Sequence, residues 1–192
     1  MIKKRIIEEE FSHQIKGIQK QYMKAQINLD YLETWCKCFE NNNCILKIIP
    51  DYSELLIHNH YHEIVLYITK FFSKDTTAIS INKVLLYLEN NMKKLYPNFN
   101  EKSKRNYKEK LGKIIEEYNV IINSDDYLKI RNMRDKEIAH EDKKIEEHLN
   151  LELLESFINK MYYMIDSIFK LLETSYEKYI FRNDLETLIS KY

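Results

Sequence analysis

Apolar residues recur along this chain at spacings of three, four and seven, and polar stretches separate the stripes. From about Lys4 to Phe39, Ile7, Phe11, Ile15, Ile18, Tyr22, Leu29 and Leu32 share one face, which predicts a long helix with a single buried stripe. "ENNNC" ends it. Pro50, with Asp51 and Glu54 arranged as a capping box, predicts a second helix whose face of Ile57, Tyr61, Ile64, Ile68 and Phe72 runs to about Ser73. After "SKDTTA", Ser80 is placed to cap a third helix carrying Val84, Leu85, Leu88, Met92 and Leu95, stopped by Pro97.

A fourth helix begins near Asn100 and turns Tyr107, Leu111, Ile114, Ile115, Tyr118 and Ile121 inward, with Gly112 a tolerated weakness. "NSDD" breaks it and offers an N-cap to a fifth helix, which carries Leu128, Ile130 and Met133 towards His140. Between Glu141 and His148 only Ile145 is apolar, so the helical period fails at His140 and the fifth helix is expected to end there. Asn150 can cap a sixth helix with a wide stripe of Leu154, Phe157, Ile158, Met161, Ile165, Ile168, Phe169 and Leu172. A short tail helix around Leu185 and Ile189 is a further possibility.

Composition sharpens this into an all-α reading. Two Gly and two Pro in 192 residues leave almost no material for hairpins and tight turns. The length suits one domain spanning residues 1–192, and 44% apolar with 31% charged residues is the balance of a folded chain. A formal net charge of zero argues against a general polyanion binder, so any nucleic-acid contact must be local. "MIKKRIIEEE" turns acidic where a signal peptide needs its apolar core, and no apolar run nears the ~20 residues of a membrane span. A cytoplasmic protein with no membrane partner is expected. Cys36, Cys38 and Cys44 lack a fourth ligand for zinc and read as reduced structural thiols.

The stretch "RNMRDKEIAHEDKK" carries the candidate chemistry. On one straight helix, Arg134 and His140 would stand roughly 120° and ~9 Å apart and would not converge. They meet at one phosphate if the helix ends before His140, or if a two-fold partner sets its own copy opposite. A histidine at a helix C-terminus also feels the negative end of the dipole, which favours its charged form.

Arg134-Asp135-Lys136-Glu137-Ile138-Ala139-His140 resembles the R-x(4 to 6)-H motif of the HEPN superfamily. The phrase "LKIRNMRDKEIAHED", with the upstream "FFSKDTTAISINKVLLYLE", is similar to the abortive-infection (U-type) branch over roughly residues 50 to 175. The resemblance implies an antiparallel HEPN-like bundle of about five to seven helices that forms a homodimer. It also implies a metal-independent endoribonuclease, without cofactor, acting in phage defence or as a toxin held by an antitoxin protein. Such cleavage needs a base for the 2′-hydroxyl, an acid for the leaving oxygen and a cation for the charge on phosphorus. His140 titrates near neutrality and suits either proton transfer, and Arg134 offers a planar fork to phosphate oxygens. Asp135 would orient the arginine, with Arg131 and Lys136 as further RNA-contacting cations. The alternative is a catalytically inactive HEPN module that binds a protein such as an antitoxin.

Blander readings compete. Arg131 with Asp135 is an ordinary i, i+4 surface pair. "HNHYH" supplies His58, His60 and His62, but in a helix only His58 and His62 share a face. Glu10 with His13 and Glu137 with His140 form E-x-x-H pairs like those of di-iron bundles, which also need a glutamate from each of two other helices. Residues 101 to 113, "EKSKRNYKEKLGK", hold six basic and two acidic residues around Tyr107. They form either a solvated helix face or an RNA-tracking patch in which Lys104 and Arg105 hold phosphates and Tyr107 stacks on a base.

Overall fold

Each helix start leaves backbone amides without an intrahelical acceptor, and a side-chain oxygen placed just before the apolar period closes one of them. Ser80 accepts from the amide of Lys83 (3.4 Å), Asn100 from Ser103 (2.8 Å), Ser124 from Tyr127 (3.2 Å) and Asn150 from Leu153 (2.8 Å). The computed structural model describes residues 2–40, 50–75, 77–135 and 150–173. These residues form α1 (Ile2–Glu40), α2 (Pro50–Phe71), α3 (Ile81–Leu95), α4 (Glu101–Ile122), α5 (Asp125–Met133) and α6 (Leu151–Glu173). No strand occurs among the described residues, so the all-α helical-bundle expectation holds. The Asp51 and Glu54 side chains, the Ile7 side chain and the tail around Leu185 and Ile189 lie outside the described residues.

Antiparallel packing of α1 on α2 is fixed by pairs whose numbers run in opposite senses. Asn28 Oδ1 meets His60 Nδ1 at 2.7 Å, Tyr31 stacks on His60, and Lys24 Nζ donates to Tyr67 Oη at 3.1 Å. The α2–α3 connection then crosses α1 at Gly17. A Cβ there would stand 2.5 Å from Ile79 Cγ2, and Gln21 Nε2 donates to the Ile79 carbonyl at 2.9 Å. This close approach is the reason for a glycine inside α1. From α4, the Tyr118 hydroxyl reaches the carbonyls of Phe72 (3.4 Å) and Ser73 (3.5 Å), satisfying acceptors that the end of α2 leaves open.

One continuous apolar cluster joins all six helices, with Ile18, Ile64, Phe72, Leu88, Ile130 and Phe157 fully buried. Two expectations need correction. Leu128 is 41% exposed, and Tyr127, Ile130 and Met133 form the inner face of α5 instead. In a helix of nine residues, spacings of three and three select that face, and Leu128 stands about 100° away from Tyr127. The reading of all three cysteines as reduced thiols also fails: Cys38 is disulfide-bonded, its partner lies outside the described residues, and Cys36 is exposed. Spacing counted against a metal site says nothing about which thiols meet.

Candidate active site

Helix α5 is short, and its surroundings hold it more than its own propensity does. Asp125 and Asp126 sit at its positive end and Arg131 in its last turn, which suits the helix dipole. Tyr127 is 5% exposed, edge-on to Phe72 just past the end of α2 and tilted against Phe157 of α6, with centroids 5.9 and 6.1 Å away. Ile130 is fully buried. Tyr61 of α2 donates its hydroxyl to Met133 Sδ at 3.0 Å, pinning the last regular residue of the helix.

Arg134 follows at once. Its backbone is still helical (φ −52°, ψ −48°), its amide is shared between the carbonyls of Ile130 and Arg131, and residues 134–135 make a wider π-type turn. Two turns beyond Tyr127, Arg134 lies only about 20° from it around the axis, at the edge of the buried face. Its side chain is one-third exposed. Asp135 Oδ1 accepts from Arg134 Nε at 2.8 Å and from Nη2, while Asp135 Oδ2 stands 3.8 Å from Arg131 Nε. The i, i+4 pair read from the sequence is therefore present, and it is the weaker half of a three-residue cluster. Two guanidiniums share one carboxylate, so the cluster keeps net positive charge. Nη1 of Arg134 takes no part in the contact.

That charge is felt beneath the surface. Burial pushes the Tyr127 hydroxyl above its ordinary pKa, while Arg134 and then Arg131 pull it down and Asp135 adds to the rise. Tyr127 is thus the buried titratable group that feels the cluster's charge, a relation the sequence reading missed although its seven-residue spacing from Arg134 was visible. His140 and Lys136 lie outside the described residues.

The other constellations separate. Lys104 Nζ is 2.6 Å from Glu101, and Arg105 is exposed on α4. Tyr107 is 3% exposed, packed against Tyr96 and Phe99 with its hydroxyl 3.5 Å from the Leu88 carbonyl. It is a core residue and cannot stack on a base, contrary to the RNA-tracking reading. His58 and His62 share a face of α2 with ring centroids 3.8 Å apart, while His60 turns to α1. Among the described residues no three His, Cys, Asp or Glu side chains gather as metal ligands, so Glu10 and His13 have no third ligand there. No described helix is long and apolar enough to cross a membrane.

The sequence matches the AbiU2 family (HEPN_AbiU2) over residues 50–187, well over half of the chain. The chain belongs to the AbiU2 branch of the HEPN superfamily. No curated protein and no solved structure matches it. The AbiU2 match begins at the first residue of α2 and takes in every residue named for chemistry from Lys104 to His140. Helix α1 precedes the matched AbiU2 region, yet it supplies the surface against which α2 is laid.

Proposed function

We propose that this AbiU2-family protein is a metal-independent endoribonuclease acting in phage defence or as a toxin. Arg134 and His140 from two protomers line one composite site. The observation that carries the reading is the Arg134 guanidinium fixed by Asp135 at the exit of α5, six residues before His140 in a HEPN chain. The arginine fork holds the scissile phosphate and stabilises charge as it grows on the equatorial oxygens. One histidine removes the 2′-hydroxyl proton and the other protonates the departing 5′-oxygen, leaving a 2′,3′-cyclic phosphate. Asp135 positions Arg134 without touching RNA, and Arg131 and Lys136 add local positive charge for neighbouring phosphates. Lys104 and Arg105 belong to a second basic surface on α4.

Purified protein incubated with total RNA in EDTA is expected to give fragments ending in cyclic phosphate, and His140→Ala is expected to abolish them. If wild type and variant are equally inert on every RNA tried, the protein is a silent HEPN module that binds a partner such as an antitoxin.

A further inference from the structure

Helix α2 carries more than its inner stripe. Ile57, Tyr61, Ile64 and Ile68 face the core, while His60 and Tyr67 turn to α1 through Asn28 and Lys24. On the flank turned away from α1, Leu55, His58, Asn59, His62 and Leu66 recur at helical spacing, within about 100° of one another around the axis. Leu55 is 54% exposed, His58 and Asn59 are exposed, and His62 and Leu66 are half-buried. Apart from histidine, the charged groups among the described side chains of α2 are Glu63 and Lys70, about 85° and 65° from the middle of this stripe. The outward face of α4, by contrast, is built from lysine, arginine and glutamate. A helix apolar on its inner face and uncharged on an outer flank has a second surface to cover.

We infer that this stripe is the seam on which a second copy of the chain packs, α2 against α2 around a two-fold axis. The stripe reads nearly the same from either end: a leucine, then imidazole and carboxamide groups, then a leucine. Laid antiparallel on its copy and centred between His60 and Tyr61, it sets Leu55 against the partner's Leu66 and Asn59 against the partner's His62, each twice. An isologous contact needs that self-complementarity, and a stripe of one charge would repel its own copy. A basic or acidic partner would be met by fixed charge of the opposite sign, which the stripe lacks. The rings of His58 and His62, centroids 3.8 Å apart, make a compact polar centre, and a carboxamide bonded to an imidazole across the axis fixes register. The seam also lies beside the candidate site. Tyr127 meets Phe72 and Met133 meets Tyr61, so α5 runs back along α2 and brings Arg134 out at the turns that carry His58 and His62. A two-fold axis through the stripe therefore brings two Arg134 clusters towards one cleft. The inference rests on the proposed function for the need of a second copy, and it supplies the surface that holds that copy.

The test measures mass in solution by light scattering on the full chain at pH 7.5, without RNA. Wild type is expected to be a dimer. Leu55→Glu, at an exposed position where helical circular dichroism is expected to be kept, should weaken the dimer roughly 100-fold or more, because a two-fold contact meets the change twice and each charge faces a leucine. Leu66→Lys is expected to act likewise, with His62→Lys in its place should that half-buried position unfold. Mixing the Leu55→Glu and Leu66→Lys chains is expected to restore a dimer, since one end of the seam then pairs opposite charges and the other keeps leucine on leucine. A Leu55→Glu chain as dimeric as wild type overturns the inference, even if it has lost a co-purifying protein. A monomeric wild type, or mixed variants that stay monomeric, overturns it too. Failure here is separable from failure of the nuclease reading: in the first case wild type cuts RNA while Leu55→Glu stays dimeric, and in the second the variants dissociate and recombine as expected but no chain cuts.

Discussion

Replacing Asp135 by asparagine separates the positioning role of this side chain from any structural one. Asparagine keeps the size and one acceptor oxygen but removes the charge that both arginines face. The stability consequence is small. Asp135 is about half exposed, its Arg131 contact is long at 3.8 Å, and exposed ion pairs contribute roughly 0.2–1 kcal/mol. A change of that size moves the melting temperature of a chain this long by about 2–4 °C at most. On the proposed mechanism the catalytic consequence is large, because a guanidinium displaced by about 1 Å from a phosphate can lower the rate on the order of 100-fold. RNA binding is expected to stay equal or tighten, since a negative charge has been removed beside the proposed phosphate site. The perturbation also has a spectroscopic reporter: without the Asp135 charge, Arg134 and Arg131 act unopposed on Tyr127, and its pKa falls. Single-turnover cleavage, equilibrium binding and ultraviolet pH titration of the same variant give the three readouts. Cleavage that is unchanged or faster, in step with tighter binding, would show that Asp135 is an ordinary surface charge and refute its positioning role.

Three further outcomes follow from the packing. Phe157→Ala removes a fully buried ring from between Phe72 and Tyr127 and is expected to cost about 3–5 kcal/mol in urea unfolding, loosening α5 and with it the Arg134 cluster. Tyr107, Tyr118 and Tyr127 have hydroxyls raised by burial above their ordinary value of 10.0, so the stability they contribute is complete below pH 10 and is lost as alkaline pH climbs through their folded values. Tyrosinate absorbance from these three is expected to rise together with loss of helical circular dichroism rather than before it. His60 and His62 are lowered from 6.5 by partial burial, with His58 adding to the effect at His62 and Glu63 opposing it at His60. Their folded forms resist protonation, so their contribution is intact above pH 6.5 and declines as pH falls below it, seen as a lower melting temperature at pH 5.5 than at pH 7.5.

Helix starts were legible because their signal is local. Ser80, Asn100, Ser124 and Asn150 each combine a short acceptor side chain with the onset of an apolar period, and both features act within three residues. The inner face of α5 was not, since nine residues hold too few repeats to choose between Leu128 and Tyr127. Tyrosine deepens that ambiguity by being apolar in body and polar at its tip. Tyr107 shows the same difficulty: amid lysines it reads as a stacking residue, and only the approach of Tyr96 and Phe99 makes it core. Tyr61 donating to Met133, 72 residues on, joins elements that no local pattern connects. Of the candidate site, the Arg131–Asp135 spacing was readable as helical geometry. The grip of Asp135 on Arg134 joins sequence neighbours where the backbone widens at 134–135, and residue identities do not announce either feature.

Composite catalysis is tested most directly by mixing subunits. Wild-type chains are co-refolded with an equal amount of an Arg134→Ala, His140→Ala double variant, and cleavage of a short RNA is measured in EDTA. If one site requires both protomers, only dimers of two intact chains cut, and activity falls to about one quarter of an equal total of wild type. Activity of about one half would mean that each chain cuts RNA by itself, contradicting a site shared across a two-fold axis.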